Sequence, residues 1–160
     1  MKLSKFQRVL LVSIGIVMFL GFMDAMGFSM WDKVGGFSGE VYQTLFNSWM
    51  GFFWTFALAL ILIVAFVYYI LRKDKSEALA LITTPIILLV GGLEDIFYYI
   101  FTGFQFFGTT MVWLNKNIFM FTIAKIMGQD VVTSTTLLVS VGVSIGLAYF
   151  TYKWLYKQRW

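Results

Sequence analysis

The chain has 160 residues and contains neither cysteine nor histidine. These absences exclude disulfides, thiolate nucleophiles, haem axial histidines and the zinc, copper or iron centres that imidazole and thiolate build. Any chemistry would have to use carboxylates, lysines, tyrosines or a hard cation held by oxygen. The residue set therefore calls for no cofactor and no dedicated metal site. Charge is scarce too: 12% of residues are charged, against about 25% in soluble domains. Proline occurs once, at Pro85.

What fills the chain instead is apolar. Hydrophobic residues make up 60% and aromatics 20%, and the mean hydropathy is +0.83. A soluble fold of this length could not hide so much apolar surface. Uncharged runs recur, each near the roughly 20 residues that cross a bilayer as a helix. These features predict an all-α integral membrane protein of one domain, multi-pass in the cell membrane.

The net charge of +4 does not point to nucleic acid, because the cations sit at the ends of apolar runs. Nine of the 12 basic residues fall in three segments: Lys2, Lys5 and Arg8; Arg72, Lys73 and Lys75; Lys153, Lys157 and Arg159. Basic residues beside spans set orientation, the cytoplasmic side being the richer. Spans are expected at about 9–30, 46–71, 78–101 and 131–152, with the N- and C-termini cytoplasmic. Residues Trp31 to Thr44 then form an external loop, and Trp49, Phe52, Phe53 and Trp54 an aromatic belt at the outer interface.

The segment 104–127 is long enough to cross, yet Asn115-Lys116-Asn117 stands at its middle. A lysine at a helix centre costs about 2.5–3.5 kcal/mol on insertion scales. A crossing would also place the last basic cluster outside. The segment is therefore expected to be re-entrant or interfacial, between the third and fourth spans.

The third span carries three faults: Pro85, the pair Gly91-Gly92, and the adjacent acids Glu94 and Asp95. Pro85 and the glycines are expected to break or bend it, as one kinked helix rather than two half-helices. Acids inside a membrane segment are a site hypothesis by default. Glu94 and Asp95 are the candidate catalytic or cation-binding groups, and the plainer expectation is charge pairing among Asp24, Glu94, Asp95, Lys116 and Lys125. In the last span, Ser140, Gly142, Ser144 and Gly146 form a small-residue stripe suited to close helix packing.

Glu94-Asp95-Ile96-Phe97-Tyr98-Tyr99 resembles the acidic-aromatic box E-E/D-x-x-F-F of integral-membrane lycopene cyclases. That resemblance implies an acid that protonates a polyene while aromatic faces stabilise the cation. It covers six residues, and the preceding proline stands further upstream here, at Pro85.

Three function classes follow. The leading expectation is a small non-catalytic accessory or scaffolding subunit of a larger membrane complex, such as a membrane-bound oxidase or monooxygenase. Its partners would be lipids and other membrane subunits, or further copies of itself. The second is a lipid or isoprenoid enzyme using Glu94 or Asp95 as acid. The third is an oligomeric ion or proton pathway.

Overall fold

The computed structural model describes residues 3–34 and 40–157. Six α-helices and one 3₁₀ turn follow one another: α1 (Lys5–Val34), α2 (Glu40–Arg72), α3 (Lys75–Val90), α4 (Leu93–Thr102), the turn Val112–Lys116, α5 (Ile118–Ile126) and α6 (Ser134–Lys157). No strand forms among the described residues beyond an isolated bridge between Thr110 and Thr133.

Among the described residues, three helical stretches are long and apolar enough to cross a membrane: Lys5–Gly27, Asn47–Arg72 and Ser134–Lys157. The pair α3 and α4 makes a fourth if the two count as one bent span. α5 has 9 residues, about 14 Å at 1.5 Å per residue, too short to cross.

The expected external loop at 31–44 is largely helical in backbone. α1 is described to Val34, and α2 from Glu40. Residues 35–39 of that expected loop lie outside the described residues, as do Lys2 and Arg159 of the basic clusters.

α3 is the centre of the arrangement, packing against α1, α2 and α6, while α4 packs on α1. Ile16, Val17 and Leu20 of α1 meet Phe53, Ala57 and Ile61 of α2 and Leu88 and Leu89 of α3 in one buried cluster. A second cluster joins α4 to α5 and α6 through Tyr99, Met120, Ala124 and Leu137.

The third span is not the single kinked helix expected. α3 and α4 meet at 64°, and the break lies wholly at the glycines. Gly92 takes φ +86°, a left-handed conformation that side chains disfavour. Pro85 does not break the chain, because α3 runs through it from Lys75 to Val90. A proline removes its own donor and frees the carbonyl four residues earlier, a local defect that the packed neighbours tolerate. The nearby Thr83 hydroxyl bonds the carbonyls of Leu79 and Ala80.

Candidate functional site at the helix break

The glycine break leaves carbonyls at the end of α3 without helical partners, and two other segments supply donors. Asn117 donates its Nδ2 to the Val90 carbonyl at 2.9 Å, and Ser140 of α6 donates its hydroxyl to the Gly91 carbonyl at 2.8 Å. Asn117 also starts α5, its Oδ1 accepting from the Phe119 and Met120 amides at 3.1 and 3.2 Å. One uncharged amide thus satisfies two helix ends at once. Its neighbour Asn115 accepts from the Val132 amide at 2.8 Å, tying the 3₁₀ turn to the start of α6.

Absent side chains allow the approach. A Cβ on Gly91 would collide with the Ser144 hydroxyl, and one on Gly92 with Leu137 and Met120. The expected small-residue stripe of α6 divides accordingly. Ser140 and Ser144 are fully buried and face α3. Gly142 and Gly146 do not take part, since a Cβ on either would meet nothing within 4 Å. Residues two apart on a helix point in widely different directions, so one stripe cannot serve both pairs.

Glu94 and Asp95 occupy the first turn of α4, where the helix dipole favours negative charge. Their neighbour is an acid on α1. Gly21 lets α4 come close: a Cβ there would lie 2.7 Å from Phe97 Cβ and 2.9 Å from the Glu94 carbonyl oxygen. One turn along α1, Asp24 is 8% exposed. Its Oδ1 accepts from the Trp49 indole N–H at 2.8 Å, and its carboxyl is an electrostatic neighbour of the Glu94 carboxyl. The Trp49 ring rests against Gly27, another position where a Cβ would not fit. Glu94 Oε1 is buried with no hydrogen-bond partner.

The expected lysine partners are elsewhere. Lys125 pairs with Asp130 at 2.7 Å and lies over the Phe121 ring, and exposed Lys116 makes no ion pair among the described residues. The asparagines flanking Lys116 hold this segment instead, which an amide can do without burying charge. Asp24 likewise has no lysine partner among the described residues and is buried. Among the described residues, no group of three or more acids is arranged to hold a metal ion.

Sequence reading placed Trp49 in an interfacial belt and did not single out Gly21 or Gly27. Tyr99 is 6% exposed and packs edge-on to Phe106 and stacked on Trp113. The spacing Gly21-x-x-Asp24-x-x-Gly27 is visible in the sequence as two notches flanking an acid on one side of a helix.

At the opposite end of α1 a second polar cluster forms. Glu77, 1% exposed, accepts from Arg8 Nη2 at 2.7 Å and from the Tyr68 hydroxyl at 2.5 Å. Asp74 caps α3 by accepting from the Glu77 amide at 3.0 Å, and also accepts from Lys5 Nζ at 2.8 Å and the Tyr156 hydroxyl at 2.9 Å. Burial pushes the Asp74 carboxyl up, but those hydrogen bonds outweigh it and hold it below the usual aspartate value. The sequence reading did not single out Glu77. Its signal was the capping spacing Asp74-x-x-Glu77, which marks a helix start rather than a loop.

Compared with protein-family models, curated proteins and solved structures, the chain matches none, so the two polar clusters and the helix break are what its function has to be argued from.

Proposed function

We propose that the chain is a multi-pass membrane protein acting as a non-catalytic subunit of a larger membrane assembly. Lys5 and Tyr156 both bond Asp74, so residues from all three basic segments meet at one end of the bundle. The positive-inside rule makes that end cytoplasmic. The acids of α4 and the 104–127 segment then belong to the outer half, with α5 lying in the interface or dipping into it.

The observation that carries the subunit reading is the unused face of α6. Gly142 and Gly146 look into open space, flanked by exposed Val139, Val143 and Phe150. A glycine pair four residues apart lets another helix approach closely, and the chain's own helices already use the serine face. Purification from the native membrane in mild detergent tests this. The chain should run in a larger species, and Gly142→Ile with Gly146→Ile should release it without altering its own thermal stability. A lone, homogeneous species of 18.4 kDa would count heavily against the reading.

The meeting of Asp24, Glu94 and Asp95 favours a second reading, acid chemistry at the helix break. A proton held between helices could serve an ion or proton pathway, or an acid acting on a lipid or isoprenoid substrate. Asp24→Asn and Glu94→Gln separate the two readings. Loss of assembly marks a structural lock, and intact assembly with lost proton flux or turnover marks chemistry.

A further inference from the structure

Between α2 and α3, next to the 72–77 turn, lies an open apolar groove of about 500 Å³. That size falls among ligand-binding clefts, roughly 300–1,000 Å³. Leu62, Phe66 and Tyr69 line it from α2, and Leu79 and Ile82 from α3, with Lys75 at the mouth. The lining residues recur at helical spacing over eight residues of each helix, a rise of about 10 Å. A leaflet's hydrocarbon is about 15 Å deep, so the groove runs from headgroup level into a single leaflet.

The charges at the mouth are unequal. The two acids of the turn are taken up from α1, Asp74 by Lys5 and Glu77 by Arg8. Arg72, Lys73 and Lys75 are exposed and make no ion pair among the described residues. Lys75, which lines the groove, therefore stands uncompensated, and so do Arg72 and Lys73 beside it in the chain. A zwitterionic headgroup brings its own cation and would leave that excess in place, whereas an anionic headgroup neutralises part of it.

We infer that this groove seats one acyl chain of an anionic phospholipid, with its phosphate held by Arg72, Lys73 and Lys75. The inference rests on the membrane placement proposed above and is independent of the subunit assignment.

Native mass spectrometry of the isolated chain, released from detergent with phosphatidylglycerol or phosphatidylcholine of identical acyl chains, tests it. One phosphatidylglycerol should be retained in clear preference to phosphatidylcholine. The preference should fall by about fivefold for each charge removed in Arg72→Gln, Lys73→Gln and Lys75→Gln. Ala78→Phe, which fills the groove, should lower retention with every charge intact. Lys153→Gln, a cation at the same end but outside the groove, should change nothing.

Equal retention of the two lipids overturns the proposal, as does an equal loss in Lys153→Gln, which would mean unspecific surface attraction. Displacement of the lipid by glycerol phosphate alone would show a headgroup site without an acyl seat. A dimer in place of a lipid adduct would give the groove to a second copy. If the triple variant does not fold, Lys75→Gln and Ala78→Phe alone carry the test. Because the chain is measured in isolation, failure here leaves the subunit reading standing, and failed co-purification leaves this one standing.

Discussion

The side-chain amide of Asn117 donates to the backbone carbonyl of Val90 at 2.9 Å, joining the segment before α5 to the point where α3 ends. The same amide's oxygen caps α5. Asn117→Ala should lower stability by about 1–3 kcal/mol, since a cap and a carbonyl lose their partners together. Asn117→Asp keeps the cap and removes only the donor. Hydrogen exchange should then quicken at Gly91 and Gly92 while the first-turn amides of α5 stay protected. Uniform loosening of both sites in the aspartate variant would contradict this division.

Gly91 and Ser144 occupy a contact with no spare volume. Gly91→Ala should destabilise by about 1–3 kcal/mol through overpacking. Ser144→Gly removes the hydroxyl and Cβ that the new methyl would strike, so the double variant should recover much of the loss. Thermal unfolding in detergent of the two singles and the double completes the cycle. Strict additivity would mean that the methyl is accommodated some other way.

Arg8 neutralises a glutamate whose side chain is 2% exposed. Arg8→Ala should cost about 3 kcal/mol, because it strands a buried carboxylate. Adding Glu77→Gln removes the stranded charge and should restore part of that stability. The comparison needs only unfolding midpoints, and a double variant worse than Arg8→Ala would contradict the pairing.

Asp74 titrates below its ordinary value, which fixes the sign of its pH dependence. A carboxyl with a depressed folded value contributes stability above the unfolded value of about 3.9, and that contribution fades as pH falls toward the folded value. Between pH 5 and 2 the native chain should lose more thermal stability than Asp74→Asn, and the two should converge at the acid end. Parallel curves would remove Asp74 from the acid sensitivity.

Some of this was legible residue by residue. The glycine pair marked the helix break because left-handed backbone is a local property of glycine. Pro85 misled because its neighbours, not its own ring, decide whether a packed helix bends there. Asn115-Lys116-Asn117 marked an interruption of the apolar run, and α5 beyond it has nine residues. The partner of that segment was misassigned, since charge complementarity favoured Lys116 while the packing used the amides on either side.

The sequence by itself determined the helical, apolar character of the chain, its candidate spans and the site of its break, because these follow from composition, period and backbone freedom within one segment. Only the tertiary structure decided that Glu94 faces another acid, Asp24, and not a lysine, and that the serines of α6 rather than its glycines pack inward. Those outcomes depend on which helices approach and how each is rotated. Gly21, Gly27 and Gly91 control that by leaving room for another chain segment, and such room shows only once the segment that fills it is in place.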